Sequence, residues 1–208
     1  MDVYPEARPV VKFYHIISIS LIGLSVAAAR NEDATEPESA GEVRKSAVVH
    51  DFASDDAASQ WITVNDNVMG GRSKGGFEVK NGKLIFTGST NTDGGGFSSI
   101  RTSLKKLDFK GREGVIIRLR GDGRTYKFDV RMGRNSVAHR ADFKTEKDTD
   151  SWQTVKIPFA SLSPTWRGRR LPRLLNKLKK PEIQSLGFMI YDKKDGPFEL
   201  KVDWIKSY

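Results

Sequence analysis

The chain of 208 residues has no cysteine and only three histidines, His15, His50 and His139, set far apart. Thiolate zinc sites, iron–sulfur clusters, disulfides and cysteine nucleophiles are therefore excluded, and imidazole acid/base schemes have little material. His139 is the one histidine well inside the body of the chain, and no serine elbow accompanies it. Asn91 and Asp93, with nearby carbonyls, have the hard oxygen chemistry that calcium takes. No loop has the regular aspartate spacing of a dedicated calcium motif, so an ordinary Asn/Asp/Gly turn is the simpler reading. Carboxylates are plentiful, but their separation is a property of the fold. The expectation is a chain with no catalytic residue, no metal and no cofactor.

What remains is recognition chemistry. Asn65, Asp66 and Asn67 precede Gly70-Gly71-Arg72-Ser73. Short polar side chains can cap the amides of a tight glycine turn there, or Asp66, Arg72 and Ser73 can line a binding edge. A phosphate-binding loop is disfavoured, because residues 70–76 lack the Gly-Lys-Ser/Thr ending and run into a strand. Gly94-Gly95-Gly96 permit close backbone approach, with Phe97 entering the core and Arg101 projecting from the sheet. Arg124 stands beside the Gly121-Asp122-Gly123 turn and can pair with Asp122 as readily as with a ligand. Trp166, in an expected loop, offers a flat apolar face on which a sugar could stack. Arg167, Arg169 and Arg170 open a basic run that continues through Arg173, Lys177, Lys179 and Lys180 with no acid between residues 167 and 180.

Positioning these side chains falls to strands. Phe198, Leu200, Val202 and Trp204 alternate with polar residues, as do Tyr126, Phe128, Val130 and Met132. A strand also runs from Trp152 to Ile157, and others are expected at 76–80, 83–88, 97–102, 114–120, 139–144 and 186–191. Asn81-Gly82 signals a tight hairpin, and Trp61, Trp152 and Trp204 are expected in the core. About nine strands without helical crossovers indicate an all-β fold of two packed antiparallel sheets, a jelly-roll β-sandwich. One helix interrupts it: Leu171, Leu174, Leu175 and Leu178 have helical spacing between Pro172 and Pro181, giving a leucine face beside a cationic one.

Charge and hydropathy divide the chain. Residues 13–29 form an apolar run led by Lys12 and closed by three alanines, the shape of a signal for export. A membrane anchor is the second reading, since 17 residues are at the lower limit for crossing a bilayer. A mitochondrial presequence fits less well, given Asp2 and Glu6 and few basic residues. Residues 30–50 are polar and acidic, an expected flexible linker, and residues 51–208 form the sandwich, with 30 basic and 19 acidic side chains. That surplus calls for anionic partners.

Residues 61–73, 94–101 and 120–126, with Ile157-Pro158-Phe159, Pro164-Thr165-Trp166-Arg167-Gly168 and Gly196-Pro197-Phe198, occur in an order that resembles the complex I intermediate-associated protein 30 family. The resemblance covers about Asp51 to Ile205. It implies a galactose-binding-domain-like sandwich and a non-catalytic role in assembling a partner complex, with respiratory complex subunits as partners. The alternative is an exported carbohydrate-binding module with a glycan ligand. Nucleic acid is disfavoured, because no aromatics interleave with the basic run. Compartment is in tension here: assembly of a respiratory complex belongs on the inner side of the membrane that residues 13–29 point across.

Overall fold

The computed structural model describes residues 46–134, 137–147 and 150–208. The signal-like segment and most of the expected linker lie outside them. Thirteen strands follow in order: β1 (Ala47–His50), β2 (Trp61–Asn65), β3 (Lys74–Lys80), β4 (Lys83–Thr90), β5 (Ser98–Thr102), β6 (Gly114–Gly121), β7 (Thr125–Arg131), β8 (Ala138–Lys144), β9 (Gln153–Pro158), β10 (Ser163–Trp166), β11 (Arg169–Arg170), β12 (Ser185–Ile190) and β13 (Gly196–Ser207). They build two antiparallel sheets. One has the order β3-β4-β13-β6-β9, with β1 also paired to β13; the other has the order β11-β10-β8-β7-β12-β5-β2. The result is a jelly-roll β-sandwich.

Period-two patterning decides which face of each strand is buried. Val115, Ile117 and Leu119 of β6 and Tyr126, Phe128 and Val130 of β7 are fully buried and face one shared core. Phe188 of β12 joins its aromatic centre, with ring centroids 6.1 Å from Trp61 and 5.8 Å from Phe128. Asn81 and Gly82 both take positive φ, 53° and 65°, as a two-residue hairpin turn between β3 and β4 requires.

Four strands, β1, β2, β10 and β11, are additional to those expected. The alternation also breaks in β13. Its register with β6 shifts between Val202 and Trp204, so that Val202 and Ile205 are both buried while Trp204 is half-exposed. A bulge inserts one residue and turns the side chains after it to the other face. Trp152 is likewise half-buried, with Lys83, Arg118 and Arg120 within 5.3–5.5 Å of its ring centroid. Phe97, expected in the core, is also only half-buried.

The expected leucine helix does not form. Residues 171–179 are a strap of turns and irregular backbone, followed by one short 3-10 turn at Lys180–Glu182. Its two prolines leave too few residues between them to offset the cost of starting a helix. Of the leucines, Leu178 packs against the core, whereas Leu174 and Leu175 stand in solvent.

Candidate functional site

Asp66, Arg72 and Ser73 come together, but around a structural knot. Asp66 is fully buried and accepts the backbone N–H of Ser73 at 2.9 Å on one oxygen, and those of Gly96 at 2.7 Å and Phe97 at 3.2 Å on the other. Neither Gly71 nor Gly95 leaves room for a Cβ beside this carboxylate. Burial alone would raise the pKa of Asp66. The hydrogen bonds from Ser73, Gly96 and Phe97 outweigh burial and hold it below the ordinary value. The buried Ser73 hydroxyl donates to the Asn91 carbonyl and accepts the Asn91 N–H. Asn91 Oδ1 in turn accepts the Asp93 N–H, and Asp93 pairs with Arg72. The oxygen groups considered for calcium are thus engaged with the chain itself. The Arg72–Asp93 pair is 71% exposed on both sides and contributes little to stability.

Arg124 serves a second structural knot. Its guanidinium donates to both carboxylate oxygens of Asp192, to the carbonyls of Lys194, Gly196 and Pro197, and to the Thr90 hydroxyl. These bonds fasten residues 192–197 to the end of β4. Asp122, weighed from sequence against a ligand as the partner of Arg124, accepts the Arg124 backbone N–H, together with the Tyr126 hydroxyl and the Glu199 N–H. Arg101 lies elsewhere, on the outward face of β5. The candidate residues therefore do not converge on one site.

Trp166, Arg167, Arg169 and Arg170 do share a place, a hairpin rather than a loop. Trp166 of β10 pairs with Arg169 of β11, and Arg167 and Gly168 make the turn with φ of 46° and 79°. Arg-Gly here does the work of Asn-Gly, which is why sequence alone missed it. Trp166 is 42% exposed, with the Arg167 guanidinium 5.9 Å from its ring centroid.

The strap follows directly and is tied down along its length. Leu171 N–H donates to the Pro164 carbonyl, and the Arg173 guanidinium to the carbonyls of Ala160 and Ser161 and to the Ser163 hydroxyl. His139 Nε2 meets the Asn176 carbonyl at 2.8 Å, and Lys180 Nζ donates to the Arg112 carbonyl at 2.6 Å. Beneath the strap lies a cleft of about 560 Å³, lined by His139, Phe159, Leu162, Pro164 and Leu178 among others. At its crest Leu174 and Leu175 are 82% and 84% exposed, with Arg169, Arg170, Lys177 and Lys179 exposed on either side. Sequence reasoning singled out the cations and assigned these two leucines to the face of a helix. Among the described residues no group of three or more His, Asp or Glu is placed to hold a metal, and no helix is long and apolar enough to cross a membrane.

Among solved structures, the fold is similar to a family 11 carbohydrate-binding module from Clostridium thermocellum in complex with a beta-1,3-1,4-mixed-linked tetrasaccharide. The TM-score is 0.57 at 19% identity, over 78% of this chain and 94% of that one. An agarase structure matches 78% of this chain and 24% of its own, with a TM-score of 0.54 at 9% identity. At these identities the likeness is one of fold. In sequence, the mitochondrial complex I intermediate-associated protein 30 of Mus musculus is 26% identical over 180 residues, which are 76% of this chain and 55% of the mouse protein. A probable mitochondrial relative of the same name from Caenorhabditis briggsae is 31% identical over 98 residues, 45% of this chain and 28% of that protein. The chain thus spans about half the length of the mouse protein or less than a third of the worm one.

These relatives correct the expected location. They are named mitochondrial, which overturns the exported or membrane-anchored reading of residues 13–29. Asp2 and Glu6 are too thin a ground for discounting a mitochondrial destination. The sequence model of complex I intermediate-associated protein 30 matches residues 50–202, nearly the whole sandwich from the end of β1 well into β13, and the chain belongs to that family.

Proposed function

We propose that this chain is a non-catalytic binding module that helps assemble a respiratory complex in mitochondria, holding a partner subunit through the β10–β11 hairpin and the strap. The family and its mitochondrial relatives support the setting. The observation that carries the surface is the pair Leu174 and Leu175, held in water by a well-tethered backbone. Covering a leucine is worth about 1.5–3 kcal/mol, so two side by side are a strong apolar anchor. The basic residues Arg167, Arg169, Arg170 and Lys177 around them select a partner with an acidic rim and speed its approach.

The test is a native gel of mitochondrial extracts carrying the tagged full chain, probed for complex I subunits. The wild-type chain is expected to migrate with assembly intermediates. Leu174→Ser/Leu175→Ser should cut that fraction about tenfold or more with an unchanged melting temperature, because these side chains contribute little to the fold. Retention of the double variant on the intermediates overturns the surface. Absence of the wild-type chain from them overturns the function.

A further inference from the structure

The outward face of the six-stranded sheet brings together aromatic rings and cations that lie far apart in the sequence. Register sets Val48, Lys206, Ile116 and Lys156 in one row across β1, β13, β6 and β9, and Trp204, Arg118 and Thr154 in the next across β13, β6 and β9. Trp204 stands here because of the bulge in β13, which turns it out of the core and opposite Arg118. Tyr208 ends the same strand, and its hydroxyl reaches over β6 to Gly114, where a Cβ would meet it at 2.7 Å. Trp152, just before β9, lies over Lys83, Arg118 and Arg120. All three rings are half-exposed, and Thr154 and Lys156 are exposed beside them.

The acids of this face are engaged. Asp203 pairs with Lys83 and Arg118, Glu199 with Lys201, and Asp150 with Arg120. Lys156 and Lys206 have no carboxylate partner among the described residues; each rests on a ring, Lys156 at 4.0 Å from the centroid of Tyr208 and Lys206 at 4.4 Å from that of Trp204. A ring already held by a cation loses little freedom when a flat group stacks on it. Trp204, Lys206 and Tyr208 follow one another along β13 at intervals of about 6.5 Å, so stacking and charged positions alternate. Such alternation suits a polymer whose flat groups are joined by anionic links.

We propose that this face binds single-stranded nucleic acid, with bases stacked on Trp204, Tyr208 and Trp152 and phosphates at Lys206 and Lys156. The basic run of residues 167–180 lacks interleaved aromatics, and here the fold supplies them from distant parts of the chain. A bilayer surface fits less well: of the aliphatic residues in these rows Val48 alone is exposed, at 57%, which gives lipid little apolar area to cover. The β10–β11 hairpin belongs to the other sheet, so the site stands whether or not the hairpin and strap hold a partner subunit.

The experiment is fluorescence anisotropy of the full chain with fluorescein-labelled oligo-dT and oligo-U of about 15 nucleotides, at several chloride concentrations. A duplex of the same length and vesicles of phosphatidylcholine with phosphatidylserine are measured alongside. Saturable binding is expected, about tenfold tighter for the single strand than for the duplex, whose base faces are covered. Trp204→Ala should weaken it about tenfold, and Trp204→Phe, which keeps a ring, should restore most of it. Replacing Lys156 and Lys206 together by Gln should lower the slope of log affinity against log salt by about 1.4, the share of two phosphates. Should Trp204→Ala lower the melting temperature, Tyr208→Ala at the end of the strand decides in its place. Absence of oligonucleotide binding overturns the proposal, and vesicle binding in that case assigns the face to a membrane. Equal binding of single strand and duplex, unchanged by loss of the ring, overturns it as well, since charge alone would then explain the contact.

Discussion

Asp66 is out of contact with solvent, and three backbone amides from two distant turns converge on it. Its depressed pKa makes it a source of pH-dependent stability, as does that of Asp192, where burial pushes up but the bonds from Arg124 prevail. For a carboxylate the sign is fixed: with the folded pKa below the unfolded one, the contribution is full above about pH 4 and is lost as pH falls through the folded values. Urea unfolding should therefore show stability level near neutral pH and falling below about pH 4. Asp66→Asn should cost about 3 kcal/mol at pH 7 and flatten part of that fall, because an amide nitrogen would face donors on one side. The turn role of Asp66 was legible in its Asn/Asp/Gly surroundings. The role of Arg124 was not, since Asp192 lies 68 residues away in sequence and only the pairing of β7 with β12, which sets Tyr126 opposite Ile190, brings it within 2.6 Å.

Among elements, the strap shows how a sequence pattern can be satisfied by something other than the structure it suggests. Leu171, Leu174, Leu175 and Leu178 have helical spacing, yet the backbone is held as a strap by bonds to groups outside it: Arg173 to residues 160–163, and the Asn176 carbonyl to His139. Those partners are invisible to local periodicity. Arg173→Ala should therefore loosen the strap selectively. Hydrogen exchange of amides 171–178 should speed up by about tenfold or more, while the strands keep their protection and the melting temperature moves little. Uniform loss of protection across the sheets would mean that the strap belongs to the cooperative core. The same locality explains the β13 error. A strict alternation through Trp204 was the natural reading, but a one-residue bulge leaves no mark in a pattern of period two.

For the whole molecule, the sandwich was legible because nine strands announce themselves by alternation and by glycine turns such as Asn81-Gly82, while β1 and β11 are too short to show a pattern. Which strands pair, and hence which aromatic rings and cations share a face, depends on register across the sheet and could not be read from spacing. Register also governs the ends of the folded body: Ala47 lies opposite Ser207, with the strands about 5 Å apart. The architecture is therefore nearly a closed ring, cut at one point. A circular permutant that joins residue 208 to residue 46 through a few glycines and opens instead between Asn81 and Gly82 should fold, with a two-state melt like that of the parent. Failure to fold would show that the β3–β4 turn must be continuous. The same closure has a mechanical side: a host chain entering at β1 and leaving at β13 would pass through a single gate, so this module could be spliced into a loop of another protein without prising that loop apart.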